Sequence, residues 1–294
     1  MNGIINILKP PSMTSHNVVA RVRKITGIKK VGHTGTLDPE AAGVLPVCIG
    51  QATKISQYLL DSKKKYRAEL TLGYKTDTQD ASGTVIETKK VNSTPKEIEK
   101  EIIGFLGEYH QIPPMYSALK KNGMKLYDLA RQGIEVDREP RRVCIHEVDI
   151  IQINENIVLF DVVCSKGTYI RTLCHDIGEK LNCGGMMSFL LRTANNRFDI
   201  TSAITLEELE KCQDISALLK PIDYPLDHLP ILSIDARDKK AALNGNKINL
   251  VNYSQQYPIE TEVRAYVDNA FIGLGIIKEM DKNNKYIKFS RLFI

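Results

Sequence analysis

Residues 32–46 read GHTGTLDPEAAGVLP, and the rest of the chain is best understood from this stretch outward. Its three glycines and two prolines break helices, so the stretch predicts a shaped loop leading into a buried strand over residues 44–49. Asp38 is the first carboxylate of the chain and follows six cations, namely Lys9, Arg21, Arg23, Lys24, Lys29 and Lys30. A carboxylate presented on a loop in basic surroundings is a candidate for chemistry.

Two other interpretations of this stretch compete with a chemical one. The run Leu37-Asp38-Pro39 suits an ordinary turn, in which the carboxylate accepts backbone N–H bonds, and spacing alone favours that turn. Residues 27–34 also come close to the nucleotide-binding P-loop pattern. However, His33 replaces the lysine of that pattern, and a predicted helix over residues 18–26 precedes it where the motif needs a strand. The sequence therefore argues against an ATPase.

The whole stretch resembles, almost position by position, the catalytic motif of TruB-type tRNA pseudouridine synthases, G-H-x-G-x-L-D-P-x-A-x-G-V-L-P. Residues 9–16 resemble a second motif of the family, K-P-x-G-x-T-S-H, with Ser12 in place of the usual glycine. The resemblance covers about residues 3–204 through four separate motifs and points to the bacterial stand-alone type, the tRNA pseudouridine-55 synthases.

Composition sets limits that agree with such an enzyme. The 294 residues allow one large core and a small second domain, and 43% apolar with 26% charged residues is typical of a folded globular protein. The net charge of +5 is uneven along the chain, and a positive face would attract a polyanion, although many basic patches are only solvated surface. The six cysteines form no C-x-x-C pair, so we expect reduced core thiols. The sequence contains neither a signal peptide nor an apolar run of membrane-spanning length, which predicts a cytoplasmic protein with no membrane partner.

The predicted fold class is α+β, with a mixed, largely antiparallel central sheet flanked by helices, as the resemblance to pseudouridine synthases implies. Patterning predicts strands over residues 4–8, 44–49, 68–74, 143–151 and 157–164. Predicted helices begin near residues 14, 53, 94, 165 and 205. Three prolines within residues 221–230 suggest a domain boundary. We therefore expect a catalytic domain over residues 1–228 and a small PUA-like β-domain over residues 229–294.

Tyr66 lies in a cationic run, residues 63–67, where a nucleobase can stack on the ring while lysines meet phosphates. Alternatively, it merely starts a strand. The resemblance favours contact with RNA, because the matching tyrosine of the family stacks on the target uracil.

Residues 109–142 resemble the family's insertion that grips the RNA stem-loop. Between residues 117 and 142, seven cations outnumber four acids. We expect this insertion to be a mobile arm that orders on RNA, with Lys120, Lys121 and Arg142 among its contacts.

Arg171 stands in the first turn of a predicted helix, where the helix dipole does not favour a cation, so it needs another reason to be there, which a carboxylate partner would supply. The family places the matching arginine against the catalytic aspartate, and the residues matching Tyr169 and Leu190 beside the base. For Leu190 the alternative is plain core packing. The candidate catalytic residues are therefore Asp38, Arg171 and Tyr66. The candidate substrate-binding residues are Lys9, His33, Tyr66, Tyr169, Leu190, Lys120, Lys121 and Arg142.

The resemblance implies that the chain isomerises uridine 55 in the T arm of tRNA, with no cofactor, no metal and no obligate protein partner, as a monomer. The target base must leave the RNA stack, and His33 would support the loop that the base has vacated. Asp38 has three possible routes, namely attack at C1′, addition to C6 of the ring, or removal of the 2′ proton. Two other hypotheses stay open: a binding module or RNA chaperone on the same fold, and the RNA-guided relative of archaea and eukaryotes.

Overall fold

A computed structural model describes residues 1–251, 253–254, 257–281 and 284–293; residues 252, 255–256, 282–283 and 294 of the predicted C-terminal domain lie outside the described residues. The α-helices are α1 (Ser15–Thr26), α2 (Ser56–Leu60), α3 (Pro95–Ile103), α4 (Leu126–Ala130), α5 (Ile170–Lys180), α6 (Leu206–Lys211) and α7 (Lys239–Leu243). The strands are β1 (Gly3–Lys9), β2 (Val31–His33), β3 (Ala42–Ile49), β4 (Lys64–Leu72), β5 (Tyr74–Thr76), β6 (Val85–Thr88), β7 (Gly107–Gln111), β8 (Lys120–Lys121), β9 (Met124–Lys125), β10 (Arg141–Asn154), β11 (Ile157–Cys164), β12 (Gly185–Asn195), β13 (Phe198–Asp199), β14 (Ile231–Ile234), β15 (Ile248–Asn249), β16 (Glu262–Val267), β17 (Ala270–Asp281) and β18 (Asn284–Leu292).

Nine of these strands form the central sheet. Along its main path the order is β1-β3-β12-β4-β11-β10-β7, while β2 pairs with β3 and β13 pairs with β12. β12 runs parallel to β3, and the other pairings described in this sheet are antiparallel. The predicted α+β fold with a mixed, largely antiparallel sheet is confirmed.

Helices pack against this sheet in two groups. α1 and α6 contribute Val22 and Leu209 to an apolar cluster with Ile5 of β1 and Leu45 of β3. Helix α1 begins where the sequence predicted, because the Thr14 hydroxyl accepts a hydrogen bond from the backbone N–H of Asn17 and so caps the helix. Burial of each such aliphatic side chain contributes about 1.5–3 kcal/mol, so the cluster fixes the β1–β3 edge beside residues 32–46.

α3 and α5 form the second group, over β4, β11 and β12. Leu173 and Ile177 of α5 share a cluster with Leu70 of β4 and Phe160 of β11. The sequence placed the start of this helix within residues 165–173, and it begins at Ile170, with Tyr169 as its N-cap. The cluster therefore fixes the end of α5 that carries the candidate site residues.

β12 is the element that sequence patterning missed, since residues 188–191 suggested only core packing. It lies in the middle of the sheet, between β3 and β4. Two register shifts interrupt its pairing with β4, between Met187 and Phe189 and between Arg192 and Ala194. Each shift inserts a residue, so its buried side chains do not follow the two-residue alternation by which a strand is recognised.

A second sheet of five strands, in the order β14-β16-β17-β18-β15, forms the C-terminal β-domain. Its Leu274 and Phe293 lie in one apolar cluster with Ile4 and Val44 of the central sheet. The Arg264 guanidinium also lies 3.1 Å from an Asp223 carboxylate oxygen. The division of the chain between residues 228 and 229 stays a prediction. Among the described residues, no helix is both long and apolar enough to cross a membrane.

Candidate active site

Residues 34–41 form the turn that joins β2 to β3, and buried polar side chains hold it from neighbouring elements. The Ser15 hydroxyl accepts from the Leu37 N–H at 2.9 Å and lies 3.3 Å from the Leu37 carbonyl oxygen. The Asn195 amide of β12 donates to the Thr34 carbonyl at 3.0 Å. These bonds satisfy backbone groups that the irregular turn leaves out of the sheet, so the turn has one defined shape.

Lys9 is fully buried at the end of β1, and its ammonium donates to three carbonyl oxygens. The acceptors are Pro10 at 2.7 Å, Met13 at 2.6 Å and Pro39 at 2.9 Å. Burial lowers the pKa of Lys9 to about 8, although Glu40 and Asp38 oppose that shift. Lys9 was expected to bind substrate. Because its side chain is 0% exposed and its three donors are engaged, the structure instead places it as a support of the turn.

Arg192 of β12 supports the same turn from the other side. Its Nε donates to the Val44 carbonyl at 2.7 Å, and an Nη donates to the Gly35 carbonyl at 3.2 Å. These bonds can form because β3 and β12 pack closely against each other. A Cβ atom added to Gly43, which has φ +123°, would lie 2.3 Å from the Arg192 carbonyl oxygen. Only glycine fits there.

Asp38 projects from this turn and forms an ion pair with Arg171 of α5. One Nη of Arg171 lies 2.9 Å from an Asp38 Oδ. The other Nη faces an Asp80 carboxylate oxygen at 3.6 Å, so Arg171 lies between two carboxylates. Asp80 is itself held in place, because its Oδ1 accepts from the Thr78 hydroxyl at 2.7 Å and from the Ser82 N–H at 3.0 Å.

Opposing effects act on the pKa of Asp38. Burial raises it, and the charge of Asp80 adds to that rise, whereas Arg171, Lys9 and Arg192 lower it; burial dominates, so the pKa lies above that of an ordinary aspartate. The nearby cations therefore act against burial and favour the ionised carboxylate.

Apolar and aromatic side chains surround this ion pair. Tyr66 and Leu190 lie in one buried cluster with Leu37, the residue before Asp38. The Tyr169 ring lies under the Arg171 guanidinium, 5.8 Å from its central carbon. Burial raises the pKa of Tyr66, and the charge of Arg192 opposes that rise, so the phenol keeps its proton at neutral pH.

His33 ends β2 just before the turn. Its ring lies edge-on to that of His16, with centroids 5.3 Å apart. Burial lowers the pKa of His33 to about 4, so its imidazole is neutral near pH 7. His33 can therefore offer a neutral hydrogen-bonding ring, but not a permanent cation, to a nucleic acid.

The remaining candidate residues lie on the arm, residues 112–140, or at its base. Lys120 and Lys121 form the exposed strand β8, which pairs with β9. Lys121 donates to the Asp137 carbonyl within the arm. Arg142 belongs to β10, where it forms an exposed ion pair with Glu108. These cations thus lie on elements other than those that carry Asp38 and Arg171.

Comparison with known proteins matches this arrangement to one family. The family model described as "TruB family pseudouridylate synthase (N terminal domain)" matches residues 23–170, and "tRNA pseudouridylate synthase B C-terminal domain" matches residues 171–227. The chain is 57% identical over 294 residues to the tRNA pseudouridine synthase B of Alkaliphilus oremlandii, covering 99% of this chain and 98% of that protein. The protein of the same name from Clostridioides difficile is 47% identical, with both chains fully covered.

The chain belongs to the TruB family of tRNA pseudouridine synthases. It is therefore an isomerase that converts uridine to pseudouridine in tRNA. A solved structure described as "Crystal Structure of a Cbf5-Nop10-Gar1 Complex" contains a chain that matches with a TM-score of 0.74 and 27% identity, covering 99% of this chain and 85% of that one. A chain in "Structure of H/ACA RNP bound to a substrate RNA containing 2'-deoxyuridine" matches equally well, at 25% identity.

Several residues that shape this TruB site did not emerge from the sequence. Asp80 lies in a polar stretch, residues 76–80, in which no sequence signal gives its carboxylate a role. Arg192 and Asn195 follow the apolar run 189–191, and a charged residue directly after a buried segment was the one signal available. Both became interpretable only when β12 was seen to lie against the turn that carries Asp38.

Proposed function

We propose that the chain modifies uridine 55 in the T arm of tRNA and that Asp38 is the residue on which the chemistry depends. The observation that carries this proposal is the Asp38–Arg171 pair, with Nη and Oδ 2.9 Å apart, beside the buried side chains of Tyr66 and Leu190. The long motif around Asp38 and the full-length identity to tRNA pseudouridine synthase B support it.

The reaction breaks the bond between C1′ of the ribose and N1 of uracil and forms a bond between C1′ and C5. The hydrogen at C5 leaves as a proton and N1 gains one, so composition does not change. Asp38 acts at C1′, at C6 or on the 2′ proton, and each route requires its ionised form. Arg171 keeps the carboxylate ionised and oriented, with Asp80 holding Arg171 from behind.

The uridine must leave the base stack to reach Asp38, at a cost of a few kcal/mol. We infer that Tyr66, Leu190 and Tyr169 receive the flipped base, since aromatic and apolar surface compensates for lost stacking. His33, neutral and at the edge of the site, is suited to the space that the base leaves. The exposed Lys120 and Lys121 would meet phosphates of the T stem-loop, with no obligate protein partner and with the protein acting as a monomer in the cytoplasm, where tRNA is found.

The test is release of tritium from C5 of uridine in an unmodified tRNA transcript, with no cofactor added. We expect one release per transcript from the intact protein and none from a transcript with cytidine at position 55. Asp38→Asn keeps the side-chain shape and should lower the rate by about 10⁴-fold or more, since it removes the essential carboxylate. Asp149→Asn, at an exposed position of β10, is the matched control and should keep the full rate.

Binding of the same transcripts separates the alternatives. Asp38→Asn should still bind tRNA, because the carboxylate contributes chemistry and not affinity. If the intact protein binds the transcript but releases no tritium, a binding module replaces the enzyme. The likeness to chains in a Cbf5-Nop10-Gar1 complex and in an H/ACA RNP bound to a substrate RNA motivates a guided enzyme as the second candidate. Release from tRNA without any guide RNA or partner would exclude it.

A further inference from the structure

Gln111 holds the backbone of Tyr169 with both ends of its side-chain amide. Its Oε1 accepts from the Tyr169 N–H at 2.8 Å, and its Nε2 donates to the Tyr169 carbonyl at 3.0 Å. A neighbouring β-strand forms the same two kinds of hydrogen bond with a backbone, but here a side-chain amide forms them. Gln111 is 1% exposed, so water competes little with either bond.

Gln111 is also the residue at which the arm begins. It is the last residue of β7, and its backbone pairs with Arg141, the first residue of β10. The two ends of the arm, residues 112 and 140, therefore meet at this pair. Nε2 of Gln111 donates in addition to the Tyr109 hydroxyl, which fixes the amide from the sheet side. Residues 113–115, just inside the arm, are buried, so the arm leaves the sheet as a packed segment.

Tyr169 is the N-cap residue of α5 and two positions before Arg171. Its backbone is extended, with φ −97° and ψ 111°, and its side chain does not cap the helix. A small rotation of the Tyr169 peptide would turn the first residues of α5 and move the Arg171 guanidinium relative to Asp38. Displacements of about 1 Å at a reacting group can cost on the order of 10² in rate.

We propose that Gln111 is a positioning residue that links the seating of the arm on RNA to the alignment of Arg171 with Asp38. The inference rests on the proposed function, in which the arm grips the T stem-loop and Asp38 performs the chemistry. When the arm is displaced, the Gln111–Arg141 backbone pair moves with it. The side-chain amide of Gln111 transmits this movement to the Tyr169 peptide. The enzyme then reaches its full rate only on an RNA that seats the arm.

Gln111→Met tests this inference, because methionine fills a similar volume and removes both bonds to Tyr169. Gln111→Glu is the second variant, since it keeps an acceptor for the Tyr169 N–H but opposes a carboxylate to the Tyr169 carbonyl. Gln152→Met, at an exposed position of β10 far from the arm, is the matched control. Single-turnover tritium release at saturating enzyme gives the rate of chemistry, filter binding gives the Kd for tRNA, and thermal melting monitors the fold.

We expect Gln111→Met to lower the single-turnover rate by on the order of tenfold to a hundredfold with an unchanged Kd, and Gln152→Met to change neither. A normal rate at saturation, or a loss that only follows weaker binding, overturns the proposal. If Gln111→Met does not fold, Gln111→Glu is judged by the same criterion. If neither folds, Gln111 serves the fold and the proposal also fails.

A double-mutant cycle tests the route through Arg171. In an Arg171→Lys background the grip on Asp38 is already lost, so adding Gln111→Met should cost much less than it does alone. Additive losses would contradict the link.

Asp38→Asn in the same assay distinguishes failure of this inference from failure of the proposed function. If Asp38→Asn is inactive while Gln111→Met is normal, only this inference falls, whereas an active Asp38→Asn overturns the proposed function itself.

Discussion

The turn of residues 34–41 and the arm of residues 112–140 are both irregular connections, yet they are held in opposite ways. The turn is fixed by buried polar groups from three distant elements: Lys9 of β1, Arg192 and Asn195 of β12, and Ser15 of α1. The arm is held by a small apolar cluster of its own, in which Met115, Leu126 and Leu129 are buried, and it displays exposed cations.

This difference matches what the two regions are proposed to do. Chemistry requires Asp38 to stand in one place before the substrate arrives, so its turn is built into the core. Binding to a polyanion depends on charge near phosphates, which exposed lysines supply without a fixed geometry. We therefore expect changes in the turn to reduce catalysis and stability, and changes to the exposed lysines of the arm to reduce affinity.

Apart from the loss of Asp38 itself, the largest effect is expected at Arg171, which contacts Asp38 directly. Arg171→Lys keeps the charge but loses the planar guanidinium that faces Asp38 and Asp80 together, so it should lower the rate by about 10²- to 10³-fold with normal tRNA binding. Single-turnover tritium release measures the rate. A lysine variant of near-normal rate would show that charge alone suffices.

The same pair gives a pH dependence whose sign follows from the pKa of Asp38. Burial raises that pKa and Arg171 lowers it. Because the ionised carboxylate is required, activity is lost as pH falls through the pKa of Asp38. Arg171→Met removes the lowering contribution, so the acidic limb of the rate profile should move to higher pH. If the acidic limb does not move, the limb reflects the ionisation of a group other than Asp38.

Arg192→Met should have the next largest effect, because it removes the donor to the buried Val44 carbonyl and to the half-buried Gly35 carbonyl. Each orphaned group costs about 1–3 kcal/mol, so urea unfolding should show a loss of stability of that order, together with a slower reaction. Arg67→Met, at a partly exposed arginine of β4, should cost well under 1 kcal/mol as the matched control. Equal losses in the two variants would refute the supporting role of Arg192.

The smallest effect is expected on the arm. Removing Lys120 and Lys121 together should weaken tRNA binding, reduce the slope of log K against log salt by about 1.4–1.8, and leave the rate at saturation unchanged. Lys96→Ala with Lys100→Ala makes the same charge change on α3 and serves as the control. If the double arm variant also slows chemistry at saturation, the arm does more than bind, as expected if the link through Gln111 extends to these lysines.

Much of the fold was predictable because it depends on local patterns. The capped starts of α1, α3 and α6 follow from Thr14, Thr94 and Thr205, whose side chains accept from the first turn of each helix. β11 was predictable because its buried residues alternate, although its partner β10 has two register shifts. β12 was not predicted, because bulges disrupt its alternation and because its place between β3 and β4 is set by pairing over long sequence distance.

The sequence by itself determined which residue to examine, since the long motif around Asp38 and the misplaced cation Arg171 both stand out in one dimension. It also determined the fold class and the family. Only the tertiary structure decided that Lys9 is buried and supports the turn, that Asp80 contacts the far side of Arg171, and that Arg192 and Gln111 hold the backbone around the site. The physical reason is that a motif records local chain geometry, whereas the role of a buried charge or amide depends on the partner that folding brings to it, here from 30 to 148 residues away in the sequence.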